Sequence, residues 1–270
     1  MDMPKNKLKQ ALLAGQTQIG IFLGLADPYS AEIAAGTGFD FLLIDAEHGP
    51  NDTRTVLSQL QAIAPYGAEP FNSHAMVRPP HGDTVLIKQY LDIGVQSLLV
   101  PMIETAEQAA EMVRAVRYPP AGVRGVGTAL ARAARWNGVD GYFKQADGQM
   151  FLMLQIESVK GLENLEAIAN VEGVDGVFIG PSDLAASMGY LGQPGHPEVK
   201  AAVENAISRI TATGRIPGVF TADPAVAQVY KAKGARFLIV GVDTLLLRNA
   251  AVKLAASFKT ESETKTGAAY

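Results

Sequence analysis

Phe41-Leu42-Leu43-Ile44-Asp45-Ala46-Glu47-His48-Gly49 is the stretch that decides the fold. Its apolar run is too short for a helix and lacks the helical period, so it reads as a buried strand. The run stops at two carboxylates, an imidazole and a Gly-Pro pair. A buried strand holds polar groups rigidly at the point where it surfaces. The same construction recurs in Met76-Val77-Arg78-Pro79, in Leu152-Met153-Leu154-Gln155-Ile156-Glu157 and in Val177-Phe178-Ile179-Gly180-Pro181-Ser182-Asp183. Strand ends that keep delivering His, Arg, Glu and Asp describe one active site assembled from several strands.

Outward from that stretch, apolar runs alternate with longer amphipathic segments. Strands are predicted at residues 18–25, 41–44, 75–78, 97–102, 150–156, 176–179, 216–220 and 237–240. Helices are predicted at 29–35, 53–64, 83–93, 106–116, 161–169, 197–213, 223–233 and 244–258. Strand-then-helix units in unbroken succession predict a parallel sheet covered by helices. In a closed barrel every strand is interior, which explains runs that are apolar throughout instead of alternating. The expected architecture is therefore an α/β fold, a (β/α)8 TIM barrel of one domain over residues 1–258, followed by a polar tail at 259–270. An open doubly wound sheet is the competing fold. The longest irregular stretch, residues 118–147, is expected on the active face, where long ordered loops carry function.

Composition narrows the class of protein. The chain has 270 residues, 48% hydrophobic and 19% charged, with a formal net charge of -4. No basic excess exists to neutralise phosphates, so a nucleic-acid partner or an anionic membrane surface is not expected. Zero cysteines exclude disulfides, thiolate nucleophiles and Cys-ligated metal sites. No apolar run approaches the roughly 20 residues that span a bilayer, and the first residues, MDMPKNKLKQ, carry no secretory core. A cytoplasmic protein is expected.

In a parallel barrel all strand C-termini open on one face, so the polar strand ends converge. Glu157 and Asp183 end neighbouring strands about 4.8 Å apart and can share a cation. Two carboxylates without Cys or His suit a hard ion such as Mg²⁺ or Mn²⁺, with positions left for water and substrate. The competing reading makes each carboxylate a helix cap. That competes well for Asp183 and less well for Glu157, where Ser158 would cap better. His48 can accept a proton near neutral pH as a general base, or it is an ordinary loop histidine. Asp45 and Glu47 flank it and could order water or hold its ring. His74, His81 and His196 take no role. Arg78 presents a planar fork to a carboxylate or an enolate oxygen, pairs with a site carboxylate, or does both. Imine chemistry needs a lysine at a strand end, and Lys88, Lys160, Lys231 and Lys233 all fall in helical segments. Gly122-Val123-Arg124-Gly125-Val126-Gly127 lacks the strand-helix context of a dinucleotide motif and reads as a flexible substrate-facing loop.

Taken together, these segments resemble the class II pyruvate aldolases of the HpcH/HpaI family. The resemblance runs from about Leu8 to Phe258. It is carried by Leu42-Leu43-Ile44-Asp45-Ala46-Glu47-His48, Ile87-Lys88-Gln89, Leu99-Val100-Pro101-Met102, Val240-Gly241-Val242-Asp243-Thr244 and the long runs from Arg117 to Gly127 and from Val174 to Leu184. It implies metal-dependent, reversible retro-aldol cleavage of 4-hydroxy-2-oxoheptanedioate and related 4-hydroxy-2-oxo acids to pyruvate and succinate semialdehyde or another aldehyde. It implies His48 as base, Arg78 as transition-state stabiliser, and Glu157 and Asp183 as ligands of Mg²⁺, Mn²⁺ or Co²⁺. Gln155 and the Ser182-Asp183 backbone match pyruvate-binding positions. Asp92 matches an acid that raises the basicity of the histidine. Because Asp92 ends the third predicted helix, it must reach a histidine from a neighbouring subunit, in keeping with the homo-oligomers, hexamers, that the resemblance implies. Other substrates within reach are 2-keto-3-deoxy sugar acids and, less favoured for want of a basic groove, CoA thioesters. A non-catalytic oxo-acid-binding barrel is the reading from another class. The last helix, 244–258, is apolar over more than one stripe, so it is either buried in its own chain or covered by a partner.

Overall fold

A computed structural model describes residues 1–259. Eight strands, β1 (Gln18–Leu23), β2 (Phe41–Asp45), β3 (His74–Arg78), β4 (Ser97–Val100), β5 (Phe151–Ile156), β6 (Gly176–Ile179), β7 (Ile216–Phe220) and β8 (Phe237–Val242), run parallel and close into a barrel in sequence order. The doubly wound alternative is excluded by β8 pairing back onto β1. Closure buries both faces of each strand. One set of alternate residues, including Phe41, Leu43, Met76, Met153, Phe178 and Phe237, fills the barrel. The other set, including Leu42, Ile44, Val77 and Leu154, packs outward under the helices. Inside, the Phe41 and Phe237 rings stack at 4.1 Å and the Phe178 ring meets Phe237 edge-on. Each such phenyl side chain contributes roughly 1.5–3 kcal/mol by burial.

The helices follow the predicted alternation with additions. Helix α1 (Lys7–Leu13) precedes the barrel and pushes Leu8 and Leu12 into its interior cluster. Asn6 caps it, accepting from Lys9 N at 2.9 Å. Next come α2 (Pro28–Ala35), α3 (Thr53–Ile63), α4 (Thr84–Asp92) and α5 (Ala106–Val116), then the short α6 (Tyr142–Gln145). The segment predicted as one helix at 161–169 is two, α7 (Val159–Glu163) and α8 (Leu165–Ala169), broken at Asn164, whose side-chain amide donates to the Glu104 carbonyl. A helix that the apolar pattern did not reveal, α9 (Pro181–Ser187), starts directly at the end of β6, with proline in its first turn. The chain then forms α10 (Pro197–Ala212), α11 (Pro224–Ala232) and α12 (Asp243–Ala256).

One placement differs from expectation, and one open alternative is decided for the single chain. Residues 118–147 do not lie on the active face. They connect the end of α5 to the start of β5, and a helix-to-strand link in this fold lies at the strands' N-terminal end. There the stretch packs against Met3 and holds Arg132 against the Ile93 carbonyl. Its glycine-rich part is a packed turn: a Cβ on Gly122 would strike the Arg114 and Arg117 carbonyls. Helix α12, in turn, is not buried in its own barrel, for none of its residues is buried. Of the expected tail at 259–270, all but Lys259 lies outside the described residues. No helix among the described residues is long and apolar enough to cross a membrane.

Candidate active site

Strand parity builds the site. Asp45 continues the inward set Phe41 and Leu43, Arg78 continues Met76, and Gln155 and Glu157 continue Phe151 and Met153. These four polar side chains therefore cap the apolar filling of the barrel at its C-terminal mouth, and all four are buried. The β2–β3 register sets Asp45 directly opposite Arg78. Arg78 Nε and Nη2 donate to the two Asp45 carboxylate oxygens, each at 2.8 Å, a bidentate fork. Its Nη1 lies 3.1 Å from Glu47 Oε2 and 3.4 Å from Gln155 Oε1. The Phe22 ring supports the guanidinium from 4.5 Å. Arg78 is thus paired and also faces the mouth, which joins the two readings of it.

Asp45 and Glu47 serve Arg78 and do not hold the His48 ring. The nearest charged neighbour of that ring is Glu47 Oε2, 3.8 Å from Nε2, and the side chain is 68% exposed. Its loop is nonetheless fixed. Asp45 Oδ1 accepts from Glu47 N at 3.1 Å, Asn51 Nδ2 donates to the Asp45 carbonyl at 2.7 Å, and buried Gln59 donates to Asn51 Oδ1 at 2.6 Å.

Across the mouth, Glu157 Oε1 accepts from Met102 N at 2.9 Å, and Oε2 accepts from Gln155 Nε2. Gly180 makes room for this carboxylate, because a Cβ there would sit 2.8 Å from Glu157 Oε2. Ser158, not Glu157, caps α7, accepting from Gly161 N at 3.1 Å. Asp183 caps nothing either: it is the third residue of α9, solvent-exposed, and no side-chain capping bond forms there. Pro181, Ser182 and Asp183 begin the helix, where backbone N–H groups lack intrahelical partners.

The charges at the mouth do not balance. Asp45, Glu47, Glu157 and Asp183 stand against the one guanidinium of Arg78, so carboxylates outnumber their arginine partner. Burial pushes Glu157 up to about 7, with Glu47 and Asp183 adding to the rise. Burial likewise raises Glu47, against the lowering pull of Arg78. Glu47 Oε2 is buried with Arg78 Nη1 3.1 Å away as its ion-pair partner, a contact without hydrogen-bond geometry. Such a mouth fits a cation. Glu157 and Asp183 are the residues that could hold it, and no group of three His, Cys, Asp or Glu side chains among the described residues is arranged to do so alone. Two protein ligands with open positions suit Mg²⁺ or Mn²⁺ better than a closed structural site.

The cavity in front of these groups has a volume of about 280 Å³. His48, Arg78, Gln155, Ser182 and Asp183 line it, so the structure gathers five of the predicted residues around one space, with Glu157 beside them. The sequence reading missed its apolar wall of Phe22, Phe178, Phe220 and Val242, each at or near the end of a strand. It also missed Asp243, which accepts from Gly24 N at 2.8 Å and Leu25 N at 3.1 Å and ties the end of β1 to α12. Asp92 is not brought to His48 within one chain. It ends α4, before β4, and lies 3.5 Å from Arg124 Nη2 at the other end of the barrel.

A family model described as HpcH/HpaI aldolase/citrate lyase matches residues 18–250. A hydroxypyruvate/pyruvate aldolase of Pseudomonas aeruginosa is 59% identical over 259 residues, 96% of this chain and 95% of that one. A 4-hydroxy-2-oxo-heptane-1,7-dioate aldolase of Escherichia coli is 56% identical over 254 residues, 94% of this chain and 95% of that one. The crystal structure of an HpcH/HpaI aldolase/citrate lyase family protein from Burkholderia cenocepacia J2315 superposes with a TM-score of 0.89 at 38% identity, covering 95% of this chain and 100% of that one. A match over nearly the whole barrel, at this identity, leaves one assignment: the chain belongs to the HpcH/HpaI aldolase/citrate lyase family.

Proposed function

We propose that the chain is a divalent-metal-dependent aldolase that cleaves 4-hydroxy-2-oxo acids reversibly to pyruvate and an aldehyde. Its substrate is 4-hydroxy-2-oxoheptanedioate, which yields succinate semialdehyde. The observation that carries the reading is the excess of carboxylates at the mouth: Asp45 and Asp183 line a cavity walled by phenyl rings, Glu47 and Glu157 stand beside it, and Arg78 is the one guanidinium among them. Glu157 and Asp183 would hold a divalent ion, which would supply Lewis-acid stabilisation to the oxygens of the 2-oxo acid. Gln155 and the first N–H groups of α9 orient the substrate carboxylate. Arg78, locked by Asp45 and Phe22, faces the oxygen on which negative charge develops. In cleavage, His48 takes the C4 hydroxyl proton through water. The C4–O bond then becomes a carbonyl, the C3–C4 bond breaks, and its electron pair passes into the pyruvate half, which takes a proton at C3 from solvent water while His48 releases to solvent the proton it took. In addition, His48 returns the proton to the new alkoxide.

The identity of a hydroxypyruvate/pyruvate aldolase relative supports a second donor, hydroxypyruvate, in the same place. Its extra hydroxyl demands only a polar neighbour near C3. Pyruvate release from a panel of 4-hydroxy-2-oxo acids, read beside hydroxypyruvate formation and CoA-thioester cleavage, ranks the substrates. Release from none of the 4-hydroxy-2-oxo acids would exclude the reading.

The working unit we propose is a homo-oligomer, a hexamer. Leu245, Leu246, Leu247, Val252 and Leu254 of α12 are exposed in the single chain. Asp92 lies at the wrong end of its own barrel to serve its own His48 and needs a neighbour. We also take the enzyme to act in the cytoplasm, which fractionation of the native cells tests.

A further inference from the structure

The end of the barrel opposite the site holds a second cavity, of about 260 Å³. Its walls come from the N-terminal segment, the turns into β3 and β4, and the 118–147 stretch. Lys5, Lys7, Arg124, Arg132 and Arg135 all line it, and no aspartate or glutamate does. This concentration of cations occurs in a chain whose net charge is -4.

Only Arg124 has a carboxylate neighbour among the described residues, Asp92 at 3.5 Å. Lys7 donates to the Gly67 carbonyl at 3.1 Å, Arg132 to the Ile93 carbonyl at 2.9 Å, and Arg135 to the Arg132 carbonyl at 3.3 Å. A carbonyl satisfies a donor but leaves its charge uncompensated. Burial, with Arg135 nearby, pushes Arg132 below the ordinary arginine range. Like charges left unpaired around a concave, partly enclosed space focus a positive potential there.

Two buried donors point the same way independently. Arg124 is 2% exposed and its Nε has no hydrogen-bond partner among the described residues; Ser73 is 1% exposed and its Oγ has none. Buried donors are nearly always paired, so two at one cavity call for an acceptor. Arg124 is held ready for it, stacked 4.5 Å over Tyr118 and donating through Nη2 to Tyr142 Oη at 3.0 Å.

We propose that this cavity binds a small dianion of the phosphate or dicarboxylate class, gripped by Arg124 and Arg132 with Lys5, Lys7 and Arg135 at the rim. Its volume approaches the lower end of small-molecule sites, about 300 Å³, which leaves room for the anion and several waters. The site lies at the opposite end of the strands from the mouth of its own barrel, so its occupant touches none of that chain's cavity-lining residues His48, Arg78, Gln155, Ser182 and Asp183. Binding acts on the stability of the fold, because a ligand that binds only the folded chain displaces the unfolding equilibrium.

Isothermal calorimetry on the full chain tests this, with inorganic phosphate and with succinate as titrants, at ionic strength held constant with sodium chloride. At least one titrant should give saturable heat at one anion per chain, and its identity tells phosphate from dicarboxylate. The same anion should raise the thermal midpoint. The double variant Lys5→Gln, Arg135→Gln changes two rim cations and leaves the barrel core untouched. It should keep the metal-dependent pyruvate release and lose anion affinity by about tenfold or more, as expected when two charged contacts are removed. No saturable heat from either titrant overturns the proposal, and so does undiminished affinity in the folded double variant.

Discussion

Gly180→Ala should disable the mouth by moving one carboxylate. Gly180 joins β6 to α9 with φ -89°, a conformation open to alanine, so any effect comes from the added methyl group and not from backbone strain. That methyl would lie 2.8 Å from Glu157 Oε2 and 3.1 Å from Glu157 Cβ, whereas ordinary contact begins at 3.4 Å. The oxygen must therefore retreat by 3.4 - 2.8, about 0.6 Å. It is not free to swing, because Met102 N holds Oε1 at 2.9 Å and Gln155 holds Oε2. Overpacking of this kind costs about 1–3 kcal/mol of stability. A misplacement of about 1 Å at a reacting centre costs on the order of 10²-fold in rate, so the variant should lose between about 10- and 100-fold in turnover. Pyruvate release measured against Mg²⁺ and Mn²⁺ concentration is the assay, with a thermal melt to show that the chain is folded. The half-saturating metal concentration should rise together with the fall in rate. A folded alanine variant with wild-type turnover and an unchanged metal titration would refute the assignment of Glu157 to the metal.

Three further outcomes follow from the same geometry. His48→Ala should leave folding and metal affinity nearly intact, since the ring is 68% exposed, and lower turnover by roughly 10²–10⁴-fold; unchanged turnover places the base elsewhere. In metal-free protein Glu157 titrates near 7 when folded, against 4.5 for the free side chain, so the folded chain holds the extra proton between those values. Metal-free stability should then fall as pH rises through that window and level off above it, and added Mg²⁺ or Mn²⁺ should raise the melting midpoint more on the alkaline side; chelated melts that are flat across the window contradict this. Leu247→Glu with Leu254→Glu on α12 should split the assembly toward the 28.6 kDa chain by light scattering and reduce activity with it, whereas a wild-type chain that is already a fully active monomer removes both the interface and the part given to Asp92.

The barrel was legible because closure buries both faces of every strand, leaving apolar runs such as Phe41-Leu42-Leu43-Ile44 that nothing but their length distinguishes from helix. Their polar ends located the mouth for the same reason, since parallel strands all surface on one side. What stayed hidden depends on register and on contacts between distant residues. The pairing of Asp45 with Arg78 requires the β2–β3 register, which a run of leucines does not encode, so the two carboxylates beside His48 looked as if they served the histidine. The face of residues 118–147 follows from their position after a helix, and that order outweighed their length and glycine content. Helix α9 was lost because Pro181 and Asp183 read as strand-end chemistry and as a cap, while the helix had already begun. The basic cavity joins Lys5 to Arg135, a proximity that only the folded chain creates.

Metal dependence of pyruvate release tests the central claim most directly. Protein stripped of divalent ions by a chelator, then assayed with 4-hydroxy-2-oxoheptanedioate, should be inactive and should recover on adding Mg²⁺ or Mn²⁺. Treatment with borohydride in the presence of pyruvate should leave that recovered activity untouched. Full activity after exhaustive chelation, or a lysine adduct trapped by borohydride, would contradict a cation held by Glu157 and Asp183.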